Sequence, residues 1–204
     1  MMARTLLALG LGLGLLSGCS AISAVSGATE PLDAYTLSPV RPAAVRSQGQ
    51  HVVVVPAAAS GALATDRILV KPNRLQAEYL PRGRWVDPAP VLVQALLVAS
   101  LQHSGAFRLV GRDDAGLIPD FSVLSDLQDF QAEAPVAEGQ GWTVRVGLTV
   151  TLVDEIDRRL VASRRFEEVA TAPSDQTLTL VNAFDAAMGQ AQHKVVAWVI
   201  AETR

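Results

Sequence analysis

The chain is poor in reactive and special-purpose residues. Of its 204 residues one is cysteine, three are histidine, 5% are aromatic and 18% are charged. A single cysteine, Cys19, excludes an intramolecular disulfide framework, so the fold has to rest on its core alone. The three histidines, His51, His103 and His193, form no i,i+4 pair, and an H-E-x-x-H zinc motif is absent. A Gly-x-Ser-x-Gly elbow and a P-loop are also missing. With a formal net charge of -3 and no concentrated basic face, nucleic acid is not an expected partner. No internal repeat is visible, and no apolar run reaches the roughly 20 residues needed to span a bilayer as a helix.

What the sequence does contain begins at the N-terminus. Arg4 supplies a positive charge, and Leu6 to Leu16 form a short apolar segment of Leu, Ala and Gly. Leu16-Ser17-Gly18-Cys19 closes it. This arrangement reads as a secretory signal, and its last four residues resemble the bacterial lipobox. The small Ser17 and Gly18 admit a peptidase to the backbone, and the Cys19 thiol is the atom that a diacylglyceryl group would alkylate. Cleavage before Cys19 and acylation of the freed amine would place two or more acyl chains there. At about 0.8 kcal/mol per buried methylene, that suffices for stable anchoring. Residues 1–18 are therefore expected to be a lipoprotein signal, 19–50 a lipidated linker rich in Ser, Ala, Pro and Arg, and 51–204 a globular domain. The half-apolar composition suits a packed core.

Within the linker, Tyr35-Thr36-Leu37 could form a short edge strand. His51 to Val55, ended by Pro56, is a β-branched run that predicts a buried strand. Arg67 to Val70 and Leu75 to Leu80 are weaker strand candidates around a turn at Lys71-Pro72-Asn73. Asp87-Pro88 predicts a helix start, with Asp as cap and Pro at the first helical position, and Gly105 its stop. The apolar stripe between them is wide, so that helix is either sandwiched or meets another subunit. Phe107 to Val110 predicts a strand. The clearest β signal is Trp142, Val144, Val146, Leu148, Val150 and Leu152, which alternate with Thr143, Arg145, Gly147, Thr149 and Thr151. Leu160 to Val169 should return antiparallel after a charged turn. Phe121 to Glu133 supplies another long strand with imperfect alternation. A last helix is predicted from about Asp175 to Ala201, with Leu180, Phe184, Ala187, Ala191, Val195 and Trp198 on one face. The expected fold class is α/β: a single domain with a mixed, mostly antiparallel sheet packed by two main helices, after the signal and linker.

These pieces, taken in order, resemble the ABC-type transport auxiliary lipoprotein family, which includes the paraquat-inducible-type lipoproteins. The residues that carry the resemblance are the lipobox, Tyr35-Thr36-Leu37, Arg67-Ile68-Leu69-Val70, Tyr79 and Trp85-Val86-Asp87-Pro88. Ser104 to Val110, Phe130, the Trp142 to Val153 strand and the terminal helix complete the series. The chain departs from the family before the Arg67 strand, where Ala64-Thr65-Asp66 stands in place of a Tyr-Leu-Asp-like element. The resemblance implies work beside an ABC permease, an ATPase and an MCE-domain periplasmic protein that move lipids between the two membranes. The lipoprotein would be a non-enzymatic accessory without a cofactor or metal. Ser20 after the lipidated residue resembles the pattern exported to the periplasmic face of the outer membrane. An alternative is a lipoprotein that carries a lipid or small molecule in a pocket between helix and sheet. A periplasmic hydrolase would need a nucleophile and base that these residues do not assemble.

The candidate partner-binding residues are Tyr79 and Trp85, large aromatics beside a Pro-containing turn, which can equally close the core. Asp113-Asp114 and Asp126/Asp129 are read as acidic groups in turns or on solvated strand faces. Arg158-Arg159 and Arg164-Arg165 are read as charges on a solvated strand edge, with contact to anionic lipid headgroups as the alternative. The possibility of self-association rests on the wide apolar stripe of the first helix.

Overall fold

The computed structural model describes residues 31–116, 118–137 and 139–204. Cys19 and the expected signal lie outside them. Asp33–Arg204 form one compact unit, a mixed α/β domain whose nine strands make one sheet among the described residues. Its centre is a long meander of β7 (Phe121–Glu133), β8 (Trp142–Asp154) and β9 (Arg159–Ala172), paired antiparallel in chain order. The period of two in β8 has the expected consequence. Val144, Val146, Leu148, Val150 and Leu152 are buried, while the intervening threonines are only partly covered. β7 alternates imperfectly for a definite reason. A register shift between Leu127 and Asp129 inserts one residue, so Leu127 and Phe130 both point inward although three positions apart.

The other edge of β7 is shared along its length by three strands, all parallel to it. These are β2 (His51–Val54), β3 (Ala58–Ala59) and β4 (Arg67–Asn73). β2 carries β6 (Leu109–Arg112) at its far side. β4 turns through Arg74-Leu75 into the antiparallel β5 (Gln76–Trp85), which is edged by the parallel β1 (Asp33–Tyr35). The turn therefore falls later than expected, with Pro72 inside β4. A register shift between Val70 and Asn73 relieves the ladder where proline has no N–H to offer.

α1 (Ala89–Ser104) lies over β2 and β6, and α2 (Thr177–Glu202) lies over β8 and β9, with the two helices in contact. The start of α1 differs from the expected cap. Pro88, not Asp87, is the N-cap, and no side chain caps it. The first N–H groups are instead tied by Ala89 N–H to the Thr65 carbonyl at 3.0 Å and by Leu92 N–H to the Pro88 carbonyl at 3.0 Å. Gly105 ends the helix in the left-handed region, at φ 64°.

The expected linker ends earlier than position 50. Leu37 is buried, and the chain from there to Gln50 is strapped along α1 and the C-terminal part of α2 by side-chain and backbone hydrogen bonds. Gln192 on α2 is fully buried and clamps this strap. Its amide oxygen accepts from Val40 N–H at 3.2 Å and from Ser100 Oγ at 2.5 Å, and its nitrogen donates to the Ser38 carbonyl at 3.1 Å. Val45 N–H reaches the Ser104 carbonyl at 3.0 Å, and the Gln50 amide reaches the Thr203 carbonyl at 2.8 Å. Sheet, α2 and strap together cover the wide apolar stripe of α1, so burial within one chain accounts for it. The sequence concealed the strap because it has no period: its partners include side chains on helices 60 and 152 residues away.

Candidate docking surface

Tyr79 and Trp85 lie on the same strand and have opposite environments. Trp85 is 1% exposed. Its ring centroid lies 5.5 Å from that of Phe130 and 5.1 Å from that of Phe184, forming the centre of the helix–sheet interface. This corrects its assignment as a partner contact: no surface of the ring is left to offer. Tyr79 is 38% exposed. Its hydroxyl donates to the Ala62 carbonyl at 3.3 Å, and the Arg67 guanidinium stands 5.6 Å from its ring centroid. Six residues along a regular strand would return the side chain to the same face. Here the pairs Arg67–Arg84 and Leu69–Tyr79 leave three extra residues on β5, an odd number, and the face reverses. The irregular stretch contains Pro81 and Gly83. A Cβ on Gly83 would stand 2.9 Å from Thr177 Cγ2, so glycine is what lets β5 approach the start of α2.

The outer face of the sheet, opposite the helices, is a ladder of charges. Arg145 on β8 donates to Glu133 on β7, with Nε at 3.1 Å, and to Glu167 on β9 at 2.6 Å. Arg165 reaches Asp129 at 2.8 Å and Glu167 at 3.1 Å. Burial opposes the charge on Glu133, but hydrogen bonds from Arg145 and Gln131 and the charges of Arg145 and Lys71 outweigh it, so its carboxyl titrates below its ordinary value of 4.5. Hydrogen bonds from Arg165 and Arg145 do the same for Glu167. Hydrogen bonding to Glu133, then Glu167, strengthens the hold of Arg145 on its proton. Both glutamates have folded values below their unfolded ones, so their contribution to stability is fully present above the ordinary glutamate range and fades as pH falls through the depressed values. We expect the urea midpoint to decline with acidification below 4.5, and the slope to be shallower in a Glu133→Gln/Glu167→Gln variant. Identical slopes would remove the ladder from the stability account.

Gly147 sits in this ladder. An added Cβ would lie 2.5 Å from Asp129 Oδ2, so the carboxylate can cross β8 toward Arg165 only above a glycine. Gly147→Ala should cost about 1 kcal/mol by overpacking, measured by urea unfolding. Much of that cost should disappear in a Gly147→Ala/Asp129→Ala background.

At least one residue of each acidic pair, and two of the histidine positions, have structural hydrogen bonds. Asp126 accepts from Gln128, and Asp113 from Gln94. Asp120 accepts the His51 N–H at 2.7 Å, and His103 Nδ1 lies 2.9 Å from the Val40 carbonyl. Arg159 pairs with Asp154 and Asp157, and Arg164 stacks 5.4 Å from the Phe166 centroid. Among the described residues no group of three His, Cys, Asp or Glu could hold a metal ion. The space between helices and sheet, where a lipid pocket was the alternative, is filled by Trp85, Phe130, Phe184 and their neighbours. Two concavities lie at the end of the sheet around the β4–β5 hairpin.

A family model described as the ABC-type transport auxiliary lipoprotein component matches residues 35–196, nearly the whole folded body. The chain belongs to that family. A curated relative, the uncharacterized protein bll6063 of Bradyrhizobium diazoefficiens, is 30% identical over 142 residues, which is 68% of this chain. The chain spans about a third of that relative, 36% of its length. Among solved structures, protein XCC0632 from Xanthomonas campestris superimposes with a TM-score of 0.75 at 22% identity, covering 85% of this chain and 96% of its own. Protein CT253 from Chlamydia trachomatis gives a TM-score of 0.53 at 8% identity, covering 76% and 97%. At these identities the two structures show a shared fold. The family match runs from the last residue of β1 through the strap and most of α2, so the strap is part of the family's body.

Proposed function

We propose that this lipoprotein is the accessory of an MCE-linked ABC transporter that moves lipids between the inner and outer membranes, and that it acts by tethering and docking. The reading rests on family membership across the folded body together with the lipobox at Cys19. Lipid on Cys19 holds one end at the periplasmic face of the outer membrane, as Ser20 suggests. The domain then meets its partners at a raised local concentration, so a modest intrinsic affinity is enough for assembly. The partners are the MCE-domain protein, the permease and the ATPase of the same system. Tyr79, half-buried and backed by Arg67, is the aromatic anchor available for docking. A filled helix–sheet interface favours this role over that of a lipid carrier.

The test is purification of the tagged lipoprotein from native membranes, with and without Tyr79→Ala. The expected result is capture of the permease, ATPase and MCE-domain protein by the parent, and at least a tenfold loss with Tyr79→Ala at a melting temperature lowered by no more than about 4 °C. Failure of the parent to capture any of the three overturns the reading. Undiminished capture by Tyr79→Ala removes that residue from the interface.

A further inference from the structure

At the end of the sheet where β7 stops, the β4–β5 turn and the loop of residues 134–141 stand on either side of a cleft of about 590 Å³. The tips of both are apolar and fully in solvent: Leu75 is 99% exposed and Val136 is 94% exposed. Lys71 and Arg74 line the cleft beside Pro72 and Pro135. Neither cation takes part in an ion pair among the described residues. The acid on this wall, Glu133, is already held by Arg145 through Nε at 3.1 Å and Nη2 at 3.3 Å. Glu138 adds one acid to the facing loop by sequence, so with Glu133 bound to Arg145 the cleft keeps Lys71 and Arg74 against this one further acid.

We infer that this end is a membrane-contact surface: Leu75 and Val136 enter the interfacial layer of a bilayer while Lys71 and Arg74 bind the phosphates of anionic phospholipid headgroups. Protruding aliphatic side chains flanked by cations are what an interface with an apolar interior and an anionic surface selects. The opposite end of the domain has the reverse charge balance. Ile156 and Leu160 are also exposed there, but Asp154, Glu155 and Asp157 outnumber Arg158 and Arg159, and Arg159 is bound to two of those acids. Of the two arginine pairs that sequence suggested for headgroups, Arg159 and Arg165 are bound to acids and Arg164 stacks on Phe166, so the function moves to Lys71 and Arg74. The inference depends on membrane anchorage and not on the transporter partners.

Since Cys19 is the single cysteine and is blocked once lipidated, an environment-sensitive NBD fluorophore can be placed selectively through Leu75→Cys or, as control, Ile156→Cys. The mature lipoprotein would be reconstituted into vesicles of phosphatidylcholine and of phosphatidylcholine mixed with phosphatidylglycerol. The expected result is a blue shift and intensity gain at position 75 in the phosphatidylglycerol vesicles, and none at position 156. Adding Lys71→Glu/Arg74→Glu should abolish the gain, since two surface cations are worth roughly 20–30-fold in partition. Three outcomes overturn the inference: no response at 75, an equal response at 156, or a response unchanged by the charge reversals. Reversal by inorganic phosphate at matched ionic strength also overturns it, because that result describes a soluble-anion site. Protein that fails to float with vesicles at all reports failed anchoring, which is a separate result.

Discussion

Trp85→Ala is expected to lower the unfolding free energy by about 3–5 kcal/mol, the range for removing a large aromatic from a packed core. The indole is 1% exposed and is enclosed by Phe130 and Phe184, whose own centroids are 5.0 Å apart. Truncation removes one member of a three-ring cluster that joins β5, β7 and α2. The backbone bond from Trp85 N–H to the Asp66 carbonyl, at 2.6 Å, survives the change, so the loss belongs to packing. For a domain of this size a loss of this order lowers the melting temperature by roughly 10 °C. Trp85→Phe should recover much of it. Tyr79→Ala provides the contrast: it removes a half-exposed ring and a cation–π contact worth about 0.5–1 kcal/mol, and stability should fall by no more than about that. A Trp85→Ala protein that unfolds within about 1 kcal/mol of the parent and loses partner capture would return Trp85 to the interface.

The difference between these two aromatics also marks how far the sequence could be read. Regular alternation from Trp142 to Val153 and the single-faced stripe of α2 are local properties, and both elements appear where the periods place them. Glycine at 105 ends α1 for a reason that is equally local. The environments of Tyr79 and Trp85 depend instead on three extra residues in β5 relative to β4, and no period within β5 reveals what its neighbour does. The same holds for the irregular alternation of β7, which marks a bulge opposite β8. The segment up to Gln50 looked like a linker because its stabilising groups are Gln192, Ser100 and backbone carbonyls of distant helices. The candidate surface at the β4–β5 turn was hidden for a related reason: Lys71, Arg74 and Leu75 are unremarkable in sequence, and only the sheet brings Pro135 and Val136 beside them. The headgroup alternative rests on arginines instead, of which the fold commits Arg159 to Asp154 and Asp157 and Arg165 to Asp129 and Glu167.

Cys19→Ser should move the protein from the membrane fraction to the soluble fraction almost completely. Serine keeps the shape of the site but replaces the sulfur nucleophile that a diacylglyceryl group requires. Without that modification, cleavage before residue 19 and acylation of the new amine do not follow. Each lost methylene removes about 0.8 kcal/mol of membrane affinity, and a single chain already holds only marginally. Loss of all of them leaves only the weak surface contact at Leu75 and Val136, so the pelleted fraction should fall more than tenfold at constant expression. The folded body should be unaffected, because Asp33–Arg204 form a compact unit of their own. Melting curves of parent and variant bodies should therefore coincide. Cells fed labelled palmitate should incorporate it into the parent chain and not into Cys19→Ser. An unlabelled parent, or a serine form that still pellets with membranes to the same extent, would show that anchoring does not run through this sulfur. In that case the tethering half of the proposed function fails, while the family assignment and the fold stand.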